Sequence, residues 1–250
     1  MLEFVSVEKS FGRQKVLRGL NLCVKAREIL FLIGASGVGK SVAIKLAIGL
    51  LRVDRGEIWL DGTRVDQLSE PELYPVRKQC AMVFQSSTLF DSMTVVENVA
   101  LPLRKHRGLS ESQARTEALS FLQKVYMESF AEHRPATLSD GMRKRVAIAR
   151  ALTLSPKYLL FDEPTTGLDP VSARRVDKLI RELSTSQGVT SVVVSHDLTS
   201  IFSVADRIAF LYQGKVHLEG SPTDFRCSED PVVRQFVQGR AEGPMETPGF

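Results

Sequence analysis

The octapeptide Gly34-Ala35-Ser36-Gly37-Val38-Gly39-Lys40-Ser41 constrains this chain more than any other stretch of it. It fits the spacing G-x-x-x-x-G-K-S, follows a buried-strand run at 28–33 and precedes a helical-looking stretch at 40–51. Strand, glycine-rich loop and helix in that order form a phosphate-binding unit. The glycines let backbone N–H groups close around phosphate oxygens, where a Cβ would obstruct the loop or demand disfavoured dihedrals. The unpaired N–H groups at the helix mouth add a potential that favours anions. Lys40 is placed to reach the outer phosphates of a nucleotide, and the Ser41 hydroxyl to bind Mg²⁺.

The rest of the chain bounds what this loop can serve. With 250 residues, 43% of them hydrophobic, the chain can bury a large core, and one large domain with a subdomain is expected. The longest apolar runs have strand length, well short of the roughly 18 residues that a membrane helix needs. Any role at a membrane must be borrowed from a partner. The first residues lack the basic-then-apolar pattern of a signal peptide, so a cytosolic location is expected. Cys23, Cys80 and Cys227 have no C-x-x-C spacing and read as reduced packing thiols rather than a disulfide or metal framework. A formal charge of +4 is a mild excess, fit for a solvated surface and too small to demand nucleic acid.

Hydropathy patterning divides the chain. Short strands at 2–7, 20–24 and 58–60, with turns expected at Asp54-Arg55-Gly56 and Asp61-Gly62, suggest an antiparallel β-subdomain. From 94 to about 154 the pattern is helical, with a capping box framed by Ser110 and Gln113. Strands return at 158–161, 191–194 and 208–212, and Pro170 opens a helix between the first two. Such alternation indicates a parallel α/β sheet. The expected organisation is a catalytic domain at 1–220 with a helical subdomain inserted at 94–154, then a C-terminal extension at 221–250.

Two further motifs carry chemistry. Tyr158-Leu159-Leu160-Phe161-Asp162-Glu163 is a buried strand ending in two carboxylates, suited to Mg²⁺ at Asp162 and to polarising an attacking water at Glu163. The same pattern also fits a plain strand-to-loop junction. Between this strand and the glycine loop lies Leu138-Ser139-Asp140-Gly141-Met142, followed by Arg143-Lys144-Arg145 and the apolar helix pattern up to Leu152. Serine and glycine at a helix mouth offer hydroxyl and N–H groups to a phosphate, and they are equally at home on an N-capped amphipathic helix.

This ordered set resembles the ATP-binding cassette (ABC) ATPases, whose Walker A, signature and Walker B motifs it follows across nearly the whole chain. The resemblance implies a P-loop α/β core with an antiparallel β-subdomain and an inserted α-helical subdomain, ATP and Mg²⁺ as ligands, and hydrolysis coupled to transport. It implies that Gln85, after the strand at 80–84, touches Mg²⁺ and water, and that His196 is the switch histidine. Phe11 would stack on adenine, and Gly34, Ala35, Ser36, Gly37, Val38, Gly39, Lys40, Ser41 and Val42 would wrap the phosphates. Ser139 and Gly141 would face the nucleotide of a second copy, with Asp169 in the loop that meets it, so a homodimer is implied. The sequence departs from the commonest pattern at Val42, where a second hydroxyl is frequent, and at Asp140, whose carboxylate is expected to point outward.

Within the family, the stretch from Phe84 to Leu103, the ending Met142-Arg143-Lys144-Arg145 and the tail from Asp230 are similar to the ATPases of the Mla lipid transporters. That resemblance implies a peripheral position on the cytoplasmic face of the inner membrane and phospholipid or a related lipid as cargo. Its partners would be an MlaE-type permease, an MCE-domain lipid-binding protein and a small regulatory subunit, with no nucleic acid. An ABC ATPase serving another solute, or a soluble one acting on nucleic acid, are the alternatives. In the tail, Pro231 can start a helix with Val232, Val233, Phe236 and Val237 as an apolar stripe, docking on its own subunit or across a dimer with 239–250 as an arm.

Overall fold

The computed structural model of the protein describes residues 1–245. Strands β1 (Leu2–Phe11) and β2 (Gln14–Val24) pair antiparallel, and β3 (Ile29–Ile33) leads through the glycine loop into α1 (Lys40–Ala47). Next come β4 (Arg55–Leu60) and β5 (Thr63–Arg64), which join β1 and β2 in a sheet of order β2-β1-β4-β5. Asp61 and Gly62, with φ of 47° and 81°, make the expected two-residue turn between β4 and β5. The turn expected at Asp54-Arg55-Gly56 is instead strand: Arg55 and Gly56 lie in β4, where the register against β1 slips between Val5 and Glu8. Gly56 has φ of 90°, and a Cβ there would sit 2.4 Å from the Ser6 carbonyl oxygen. The glycine therefore makes a bulge.

Helix α2 (Glu70–Gln79) lies where the sequence analysis placed no element, and it carries Pro71 and Pro75. Pro71 falls in the first turn, where the N–H is unpaired anyway, and a capping box between Ser69 and Glu72 secures the start. After β6 (Cys80–Val83) come the helices of the inserted region, α3 (Val95–Arg107), α4 (Glu111–Lys124) and α5 (Asp140–Leu152). The chain continues through β7 (Tyr158–Asp162), α6 (Pro170–Gln187), β8 (Thr190–Val194), α7 (Leu198–Val204), β9 (Arg207–Tyr212), β10 (Lys215–Gly220), α8 (Pro222–Cys227) and α9 (Pro231–Gln238).

The large sheet has the order β10-β9-β3-β8-β7-β6, parallel from β9 to β6, with β10 antiparallel at one edge. Strands β3, β7 and β8 are buried on both faces, which is why they read as unbroken apolar runs. Side-chain alternation splits the core in two. Phe31, Phe161, Val193 and Phe210 point to the face covered by α3 to α6 and the C-terminal helices. Leu30, Leu32, Leu160 and Val194 point to the face covered by α1, α2 and the antiparallel sheet.

The apolar stripe of α9 docks on its own chain. Val233 is fully buried, Val232 nearly so, and the Phe236 ring lies 5.2 Å from that of Phe210. The segment beyond Gly239 folds back as well, with Met245 N–H donating to Gln235 Oε1 at 2.7 Å. The buried side of the stripe thus packs within the subunit; of the arm expected at 239–250, residues 246–250 lie outside the described residues.

Candidate active site

In a parallel sheet of this kind, ligands bind beyond the carboxyl ends of the strands. Here β3 delivers Gly34, β7 delivers Glu163, β8 is followed by His196, and β6 is followed by Gln85, all at that one edge.

The loop after β3 is shaped by its glycines. At Gly34 (φ 143°) a Cβ would lie 2.3 Å from the Leu211 carbonyl oxygen, and at Gly39 (φ 110°) 2.7 Å from Leu17 Cδ2. Gly37, with φ of 77°, is in the left-handed region with open space around it. Ser36 and Gly37 are exposed at the loop's crest, Ala35 and Val38 are half-buried, and Val42 is half-buried one turn into α1. Lys40 lies almost wholly buried under the loop, its Nζ donating to the Gly34 and Ala35 carbonyls at 2.8 and 2.9 Å. Burial pushes the Lys40 ammonium below the usual lysine range, while Glu163 and then Asp162 oppose that shift. A buried cation over a backbone nest is the arrangement that takes up nucleotide phosphates.

Ser41 and Asp162 come together although 121 residues separate them: Ser41 Oγ donates to Asp162 Oδ1 at 2.5 Å. Asp162 is only 5% exposed, and its nearest cation is Lys45 at 3.8 Å. A hydroxyl and a carboxylate are hard oxygen donors, which fits Mg²⁺. Among the described residues no three His, Cys, Asp or Glu side chains converge on a metal. Phosphate oxygens or water would have to complete the shell.

Glu163 stands one residue further, with φ of 51°, a conformation that costs a non-glycine residue on the order of 1 kcal/mol. Its N–H donates to the Val194 carbonyl at 3.0 Å, which ties the ends of β7 and β8. Its Oε2 accepts from Thr166 Oγ1 at 2.8 Å and lies 2.9 Å from His196 Nδ1. Thr166, which the motif pattern left unremarked, thus helps aim the carboxylate. His196 is in turn placed by its neighbour: Asp197 caps α7, and Arg174 on α6 reaches Asp197 Oδ2 at 2.5 Å.

Among the described residues, the other expected ones make no hydrogen bond to this cluster. Gln85 is exposed past the end of β6, and Phe11 is exposed at the β1–β2 hairpin with Lys9 5.4 Å from its ring centroid. Ser139 caps α5 by accepting from Met142 N–H at 3.4 Å, and Asp169 caps α6 by accepting from Val171 and Ser172 N–H at 3.0 Å. Gly141 is buried against α6, where a Cβ would sit 2.9 Å from Ser172 Cβ. These helix mouths abut each other, and no hydrogen bond among the described residues joins them to residues 34–42. Asp140 is exposed and pairs with Arg143 one turn along the helix.

A nucleotide-binding loop and a carboxylate–histidine pair at the carboxyl edge of a parallel sheet define a P-loop ATPase. The family model for "ABC transporter" matches residues 17–166. The chain therefore belongs to the ABC transporter family, as an ATP-binding, ATP-hydrolysing domain. It is 38% identical over 245 residues to the intermembrane phospholipid transport system ATP-binding protein MlaF of Escherichia coli K12, covering 98% of this chain and 91% of that protein. The Haemophilus influenzae MlaF is 39% identical over 245 residues, with 98% and 93% covered. The probable ribonucleotide transport ATP-binding protein mkl of Mycobacterium leprae is 38% identical over 244 residues, with 98% and 70% covered. Among solved structures, the dimeric bacterial ABC transporter cassette MJ0796 superposes with a TM-score of 0.82 at 35% identity, covering 89% of this chain and 99% of that one.

Proposed function

We propose that the protein is the ATPase subunit of a phospholipid transporter, working as a homodimer on the cytoplasmic face of the inner membrane. The convergence of Lys40, Ser41, Asp162, Glu163 and His196 on one sheet edge carries the hydrolytic part of this reading. Nearly end-to-end similarity to the two MlaF proteins supports the lipid part. Among the described residues no helix is long and apolar enough to cross a membrane, so the transport path belongs to a partner. The partners of this reading are an MlaE-type permease, an MCE-domain protein and a small regulatory subunit. Similarity to mkl keeps a second cargo class in view, although this chain covers only 70% of that protein.

In the proposed mechanism the loop N–H groups and Lys40 hold the phosphates of ATP. Bound Mg²⁺, held by Ser41, Asp162 and Gln85, would neutralise charge on the phosphate oxygens. Glu163 takes a proton from the attacking water as its oxygen bonds to the γ-phosphorus. The bond from that phosphorus to the bridging oxygen breaks, and ADP leaves with its electron pair. His196, in contact with Glu163, keeps the carboxylate aimed and lies within reach of the γ-phosphate. Phe11 stacks on adenine, and Ser139, Gly141 and Asp169 serve the nucleotide of the second subunit. Affinity purification from native membranes is the test. Co-purification of a permease, an MCE-domain protein and phospholipid is expected; a permease of another class carrying no lipid overturns the cargo assignment.

A further inference from the structure

Lys144 is the residue the nucleotide chemistry leaves unexplained. It is 2% exposed, far below what is usual for lysine, and it stands on the helix whose mouth is formed by Ser139 and Gly141. Its Nζ donates to two successive carbonyls of the segment after β6, Phe84 O at 3.0 Å and Gln85 O at 2.7 Å. A second cation of the same helix grips the same segment further on: Arg150 donates to Thr88 O at 2.9 Å, Ser87 O at 3.3 Å and Thr88 Oγ1 at 3.1 Å. Ser87 and Thr88 both have positive φ, 62° and 46°, so the turn that Arg150 holds is one the backbone would not keep unaided.

An apolar side chain could fill the space at 144, but it would not orient anything. Two charge-assisted bonds to adjacent carbonyls fix the two peptide planes that flank Gln85, and with them the direction in which the Gln85 side chain leaves the backbone. That side chain is exposed and takes its aim from the backbone beneath it. Burying an ammonium is costly unless it is paired, so the bonds are retained whenever the helix and the segment stay packed.

We propose that Lys144 is a positioning residue for ATP hydrolysis: by holding the Phe84 and Gln85 carbonyls it aims Gln85 and joins it rigidly to the Ser139–Gly141 helix mouth. This rests on the assignment of Gln85 to metal and water. Lys144 touches no reacting atom and acts through Gln85 alone.

The test is a kinetic cycle on the full chain, using Lys144→Met, Lys144→Gln, Gln85→Ala and both double variants with Gln85→Ala. Steady-state ATPase activity is measured against ATP and against Mg²⁺. Lys144→Met should lower kcat by about 10- to 100-fold, as a small misplacement does, and weaken the apparent Mg²⁺ affinity while leaving the KM for ATP unchanged. Lys144→Gln offers an amide N–H to one of the two carbonyls and should fall between wild type and Lys144→Met; it also carries the test if the methionine variant does not fold. In the Gln85→Ala background neither substitution should lower kcat further. Losses that multiply in the double variants, or a Lys144→Met enzyme with wild-type kcat, would overturn the proposal while leaving an impaired Gln85→Ala intact as evidence for the role of Gln85. A Gln85→Ala enzyme with normal kcat and normal Mg²⁺ dependence would instead overturn that role and the proposal with it.

Discussion

Glu163 and His196 meet at the carboxyl ends of β7 and β8, with 2.9 Å between Oε2 and Nδ1, while the Thr166 hydroxyl bonds the same oxygen. The pair comes from adjacent parallel strands, and the Glu163 N–H bonded to the Val194 carbonyl locks those strand ends together. A carboxylate held by two side chains, on a left-handed backbone pinned to the end of β8, is pre-aimed, so its chemistry can be removed without disturbing its place.

Glu163→Gln therefore keeps the shape and the Thr166 contact but cannot take up the proton. Turnover should fall by roughly 10²–10⁴-fold, while ATP binding persists and ATP holds the dimer together. Single-turnover hydrolysis and size-exclusion chromatography with ATP check this. Hydrolysis near the wild-type rate would place the base elsewhere.

Asp140 occupies the third position of the signature, where its charge would repel a phosphate if it faced one. It is exposed and pairs with Arg143, which offsets its charge. Asp140→Gly should change kcat and KM by no more than about twofold, the range of an ordinary surface substitution. A several-fold rise in kcat would show that the carboxylate faces the nucleotide.

The C-terminal helices act as core. Phe225 is 1% exposed, and Phe225→Ala should cost about 3–5 kcal/mol in urea unfolding. Deleting the chain from Pro231 onward uncovers Phe210 and should lower the unfolding midpoint as well. If the truncated protein kept the wild-type midpoint and lost only self-association in analytical ultracentrifugation, the tail would be a dimer element after all.

Asp177 on α6 is 4% exposed, accepts from Ser200 Oγ at 2.9 Å and pairs with Arg174 at 2.8 Å. Burial raises its carboxyl above the usual range, against the bonds to Ser200 and Arg174 and in line with repulsion by Asp197. The folded chain thus keeps a proton that the unfolded chain has already lost. Its contribution is present in full below the unfolded value of 3.8 and falls away as pH rises through the raised folded value. Asp177→Asn removes this dependence, so its stability relative to wild type should improve from pH 4 to pH 7. Urea midpoints at both pH values check the sign; a relative stability that declines toward pH 7 would mean the ion pair with Arg174 outweighs the burial.

Local patterns were enough to read much of this protein. Gly34 to Ser41 was legible because a phosphate loop needs its glycines and lysine within one strand-loop-helix unit. Tyr158 to Glu163 was legible because a strand buried on both faces has no polar residue until it leaves the sheet. The start of α6 was legible at Pro170, while α2 was hidden because proline signals a break even where a capped first turn tolerates it. Gly56 looked like a turn for the same reason: a glycine with positive φ serves turn and bulge alike.

The sequence by itself determined the chemical inventory, since residue type and short spacing are properties of the chain alone. Tertiary structure decided which of those residues meet. The strand order β3-β8-β7-β6 brings Ser41 to Asp162 across 121 residues and sets Gln85 beside the Glu163 edge, and no periodicity reports such an order. Packing of α5 on the segment after β6 turned Lys144 from a charge on a helix into a buried clamp, and packing of α9 on Phe210 spent an apolar stripe that could as well have met a partner. Both outcomes rest on contacts between segments distant in sequence, whose free energy exists only once the whole sheet has formed.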